Sequence, residues 1–145
     1  MGDNSGDASS VTSYRLTGER VSPKRTRVDT GDATFVVGKE VNPVEYMLGA
    51  VVACLNSTGT MVARDMDVDI DELTMTVEGD VDYARYRGEE TDARSGLQEI
   101  TISLSVAADA DEGTLQTWRS RVEDRCPVSD TVANDTPLSV ELDRA

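Results

Sequence analysis

The sequence predicts an α+β fold in which antiparallel strands gather around one long, cysteine-bearing helix. Three observations carry this. Strand-like segments come in groups instead of alternating with helices. The stretch from Asn42 to about Arg64 repeats its apolar residues at steps of three and four. Two later segments, around Leu73–Val77 and Ile100–Val106, alternate apolar and polar residues at period two. The predicted order is βββ–α–ββ–αα–β.

The 145 residues suffice for one domain, expected over 14–145, with a core large enough to need no disulfide or metal. Met1–Ser13 is rich in Gly, Asp, Asn and Ser and has neither a basic start nor an apolar centre. It is expected to be a disordered tail, not a signal peptide. Tyr14–Leu16, a Thr17-Gly18-Glu19 turn, Thr26–Val28, a Thr30-Gly31-Asp32 turn and Ala33–Val37 then form a small antiparallel meander. In the helix that follows, Asn42 is a cap, Pro43 suits the first position, and Glu45 completes a capping box. Val44, Met47, Leu48, Val51, Val52, Cys54, Leu55, Met61 and Val62 make it apolar over much of its circumference, hence buried and central. Gly49 and Gly59 suggest close approach by another backbone, with loose packing as the alternative.

Leu73, Met75 and Val77 share one strand face, as do Ile100, Ile102, Leu104 and Val106. Between them, the polar residues Gly79–Gly96 are expected to form strand ends and a mobile loop. A second helix spans about Asp111–Arg125 with Leu115, Trp118 and Val122 inward. It breaks at Cys126-Pro127 before a short helix to Val132. Leu138–Leu142 alternates as a final strand.

Composition narrows the chemistry. Twenty-eight acidic residues against 14 basic ones give a net charge of −14. That field repels phosphate backbones, so no nucleic-acid partner is expected. The bases are 12 Arg and 2 Lys, and Asp outnumbers Glu 17 to 11. Such an Asp-rich, Lys-poor surface suits a salt-rich cytoplasm, where repulsion is screened. The acidic clusters lack the spacing of a calcium loop. No His is present, which removes the usual base of a Ser or Cys hydrolase triad and the commonest metal ligand. No cofactor or metal is expected. Uninterrupted apolar runs are short, as in Ala50–Leu55, so no segment is expected to span a membrane.

Cys54 and Cys126 are the only cysteines, 72 positions apart. A closed zinc site lacks the ligands, and a reducing cytosol argues against a structural disulfide. Inert buried thiols and a redox pair both remain open. Chemistry alone makes Cys126 the more acidic thiol, because it stands at a helix N-terminus.

The run from Asn42-Pro43-Val44-Glu45 to Ala53-Cys54 resembles the central helix of the OsmC/Ohr family of organic hydroperoxide reductases. Cys126-Pro127-Val128-Ser129 resembles that family's second signature, and the element order is similar from about Tyr14 to Leu142. The resemblance implies an intertwined homodimer whose sheets wrap paired central helices. It also implies a cytoplasmic thiol peroxidase, with Cys54 attacking an organic hydroperoxide and becoming a sulfenic acid. Cys126 then closes a disulfide, which an external dithiol, for example of lipoyl type, reduces. A glutamate and an arginine support the thiolate in this family. Glu45 matches the Pro-x-Glu spacing of one branch, whereas Val44 holds the position used in the other. Arg20, in Thr17-Gly18-Glu19-Arg20, resembles the family's arginine, with Arg25 and Arg27 nearby. The alternative reading is a non-enzymatic OsmC-like dimeric domain that binds an apolar small molecule.

Overall fold

The structure is a computed structural model and describes residues 10–145. Residues 1–9 of the expected tail lie outside the described residues, and residues 10–13 form no strand or helix. The chain divides into two compact units, one ending at Tyr46 and the other beginning at Met47.

The first unit is an antiparallel meander of β1 (Thr17–Ser22), β2 (Arg25–Asp29) and β3 (Thr34–Val37). The turn expected at Thr17–Glu19 is instead the opening of β1, with Gly18 opposite Val28 and Glu19 opposite Arg27. The chain reverses at Pro23-Lys24, where proline presets the backbone angle of a tight turn. Gly18 therefore serves as a strand residue, because β2 offers its backbone a full ladder. The turn at residues 30–32 forms as expected: the Gly31 N–H donates to Asp29 Oδ1 (2.7 Å) and the Thr30 N–H to the Ala33 carbonyl (2.9 Å). Gly38 has φ +96°, and a Cβ there would lie 1.9 Å from the Lys24 carbonyl oxygen, so only glycine fits. Tyr46 stacks on Phe35 with ring centroids 6.1 Å apart.

Helix α1 runs from Pro43 to Asp65. Its capping box forms in both directions: the Asn42 N–H donates to Glu45 Oε1 (3.0 Å), and the Glu45 N–H to Asn42 Oδ1 (2.9 Å). At its other end Asp67 takes a left-handed conformation (φ 55°). The Val68 N–H then closes back onto the Ala63 carbonyl at 2.8 Å.

The second unit pairs β4 (Ile70–Val81) with β5 (Leu97–Ala108) as a long antiparallel ribbon, Leu73 opposite Val106 and Met75 opposite Leu104. Helices α2 (Glu112–Arg125) and α3 (Pro127–Ala133) follow. Asp111 caps α2 by accepting the Thr114 N–H at 2.8 Å. Loop 82–96 carries its own bonds, with Arg85 donating to the carbonyls of Thr91 and Ala93, both at 2.9 Å. The core joins Val51, Leu55, Val62 and Ala63 of α1 to Trp118, Val122 and Cys126, with Leu73, Met75, Ile102 and Leu104 packed against it. Fully burying each large aliphatic side chain is worth roughly 1.5–3 kcal/mol.

Four expectations change. Only one face of α1 is buried within the chain, and Met47 and Met61 are exposed. Gly59 admits an indole ring and not a backbone, while a Cβ at Gly49 would meet nothing within 4 Å. Leu138–Leu142 forms no strand; Leu138, Val140 and Leu142 are 89%, 91% and 98% exposed. Alternation marks a segment able to pair, but a strand also needs a partner backbone. The argument from run length also needs correction, since the 23-residue α1 contains an 18-residue stretch with a mean hydropathy of 1.3, enough by length and composition to cross a membrane. Short uninterrupted runs concealed that average. Its Val51, Leu55 and Val62 face nevertheless packs into the protein core.

Candidate active site

Cys54 lies in the middle of α1 and Cys126 in the break between α2 and α3. Helix packing brings these distant positions together. Cys54 packs against the core cluster that contains Cys126, the Cys54 thiol and the Thr58 hydroxyl both favour ionisation of the Cys126 sulfur, and both cysteines are free. Cys126 is 0% exposed and Cys54 is partly buried. Thr58 Oγ1 stands 3.9 Å from Cys54 Sγ, one helical turn along the same face.

Burial opposes ionisation of Cys126, but hydrogen-bond donors outweigh it. The Ser129 hydroxyl, the Ser129 backbone N–H, the Cys54 thiol and the Thr58 hydroxyl together hold its pKa below the ordinary thiol value. The sulfur makes no N-cap bond, and the Ser129 hydroxyl donates to the Cys126 carbonyl at 3.4 Å. Pro127 at the first helical position fixes this break, because it has no N–H and a preset φ.

In the first unit, Glu45 is engaged through Oε1 in the capping box. Arg20 stands on β1 opposite Thr26, on a strand and not on the expected glycine turn. Among the described residues Arg20 and Arg25 make no ion pair, whereas Arg27 binds Glu19 at 3.1 Å. No group of three or more metal-ligating side chains occurs among the described residues.

A cavity of about 660 Å³ opens between α1, β5 and the two C-terminal helices, and neither cysteine lines it. Val51, Leu55, Ile100, Ile102, Leu104 and Val122 form its apolar wall, and Ser129 joins it to the Cys126 neighbourhood. The sequence reading missed Thr58. Its position four residues after Cys54 was the available signal, but nothing in the sequence says that Cys126 arrives on the same face.

A buried two-thiol cluster at the junction of a central helix and a Cys-Pro break defines a protein of the OsmC class. A family model described as OsmC-like protein matches residues 37–141, and the chain belongs to that family. Its fold is similar to that of the OsmC-like protein from Mycoplasma pneumoniae, 20% identical, with a TM-score of 0.74 over 84% of this chain and 88% of that one. It is also similar to the organic hydroperoxide resistance protein OhrB of Bacillus subtilis (18% identity, TM-score 0.55, 83% and 90% covered). An organic hydroperoxide resistance protein OsmC from Legionella pneumophila is 14% identical, with a TM-score of 0.59 over 84% and 90%. At these identities the likeness establishes the fold. No curated protein sequence matches the chain.

Proposed function

We propose that this protein is a thiol-dependent peroxidase that reduces organic hydroperoxides to alcohols. One observation carries the reading: two free thiols, 72 positions apart in sequence, pack into one core cluster. Family membership, and relatives that are named for hydroperoxide resistance, support it.

In the proposed cycle the Cys54 thiolate attacks the hydroperoxide. An S–O bond forms, the O–O bond breaks, and the alkoxide leaves and takes a proton to become an alcohol. Cys126 then displaces the sulfenic oxygen, and an external dithiol reduces the disulfide. A thiol at its reference pKa of about 8.5 is only a few per cent ionised at neutral pH, so a cation must favour the attacking thiolate. Arg20 is the proposed donor, because Arg27 is committed to Glu19, and Glu45 is the proposed carboxylate that orients it. The apolar wall of the cavity suits a hydrocarbon-bearing peroxide better than hydrogen peroxide. The working form is proposed to be a cytoplasmic homodimer, since the exposed Leu138, Val140 and Leu142 and the outer face of α1 require apolar cover.

The same cavity favours a second reading, a non-enzymatic dimeric domain that holds an apolar small molecule. Peroxide consumption with a dithiol reductant separates the two. The peroxidase reading expects turnover, faster with cumene hydroperoxide than with hydrogen peroxide. Absence of turnover with either leaves the binding domain.

A further inference from the structure

Thr58 is the one buried polar side chain in the core among the described residues, only 7% exposed. Buried hydroxyls in helices ordinarily satisfy themselves by donating to the carbonyl four residues back. Its helix neighbours do this: Ser57 donates to the Ala53 carbonyl at 3.3 Å and Thr60 to the Asn56 carbonyl at 2.9 Å. Thr58 does not. Its hydroxyl is turned to Cys54 Sγ at 3.9 Å, and it is among the groups that favour the charged form of Cys126. A hydroxyl is costly to bury without a good partner, and a thiolate is a better acceptor than a thiol. The site therefore fits its charged state better than its neutral one.

We propose that Thr58 is the positioning residue for the disulfide-forming half of the cycle, its hydroxyl holding the Cys126 thiolate against Cys54. This rests on the peroxidase reading. In that step the Cys126 sulfur donates a lone pair to the sulfenic sulfur of Cys54. The S–S bond forms, the S–O bond breaks, and the oxygen leaves with the bonding pair and takes a proton from solvent to become water. Cys126 supplies both electrons, so no outside reductant is needed until the disulfide itself is opened. Ser129, at the start of α3, donates its hydroxyl to the Cys126 carbonyl at 3.4 Å and favours the charged form of that residue's sulfur from the opposite element.

The test compares wild type with Thr58→Val, which keeps the shape and removes the hydroxyl, and Thr58→Ser, which restores it. Ionisation of Cys126 is followed by thiolate absorbance against pH in a Cys54→Ser background. Closure is followed as loss of trappable sulfenic acid after one equivalent of cumene hydroperoxide. Thr58→Val is expected to raise the pH at which Cys126 ionises and to slow closure about tenfold, the change in thiolate fraction that one pKa unit brings. Thr58→Ser should return both toward wild type. Unchanged closure and ionisation in Thr58→Val overturn the proposal, as does Thr58→Ser behaving like Thr58→Val. Thermal melts identify a variant that fails only because it is less folded. Closure is also read without peroxide, by charging Cys54 with an aromatic disulfide. Failure of the wild type to consume hydroperoxide then counts against the peroxidase reading, and an unslowed closure in Thr58→Val counts against Thr58.

Discussion

The indole N–H of Trp118 donates to the carbonyl oxygen of Gly59 at 2.9 Å, across 59 positions of sequence. Trp118 lies on α2, which ends at Cys126; Gly59 follows Thr58 on α1. The bond thus fixes the approach of the two elements that carry the thiols. The ring lies so close that a Cβ on Gly59 would stand 2.9 Å from Trp118 Cζ2.

Gly59→Ala is therefore expected to destabilise the protein. Alanine in a helix interior gains about 1 kcal/mol over glycine, whereas overpacking a filled core costs about 1–3 kcal/mol. A net loss of roughly 1 kcal/mol lowers the melting midpoint by about 2–4 °C in a protein of this size. A raised midpoint in a thermal scan contradicts the packing.

The two cysteines should fail differently. Cys54→Ser is expected to abolish peroxide turnover. Cys126→Ser should permit a single stoichiometric oxidation and then stop at the sulfenic acid, detectable by trapping and mass spectrometry. Wild-type turnover by Cys54→Ser means that the roles are wrongly assigned.

Arg20→Ala should slow the oxidation of Cys54 by about tenfold or more, the effect of losing about one pKa unit of thiolate stabilisation. Arg27→Ala should leave the rate near wild type, since that guanidinium already binds Glu19. Stopped-flow oxidation of the two variants decides between them, and the reverse ranking identifies Arg27 as the partner.

A homodimer is expected by light scattering in high salt. Replacing Leu138, Val140 and Leu142 together with Asp should shift the mass toward that of one chain, because these side chains are 89%, 91% and 98% exposed within it. A monomeric wild type rules out the proposed assembly.

Stability should also fall as salt is removed. At a net charge of −14 the surface repels itself. The Debye length grows from about 3 Å at 1 M to about 30 Å at 0.01 M salt. Melting midpoints across that range should climb with salt; a flat series contradicts the reading of the surface as salt-adapted.

Helix α1 and its cap were legible because the signals are local. Asn42 and Glu45 are three residues apart and bond each other directly, and the apolar period follows from 3.6 residues per turn. The alternation of β4 and β5, the Asp111 cap and the Cys126-Pro127 break are local in the same sense. The sequence by itself thus determined the elements of the second unit and, through two short signatures, the family. Other features depend on what lies beside a segment. Thr17–Glu19 reads as a turn until β2 offers it a ladder, and Leu138–Leu142 reads as a strand until no backbone stands next to it. The thiol site belongs to this second kind. Only the packing of Trp118 on Gly59 and of α2 on α1 brings Cys126 to Cys54 and turns Thr58 from a helix residue into a group that favours the charged form of Cys126. Distances between remote positions are set by the fit of side-chain volumes in the core, and no local pattern encodes that fit.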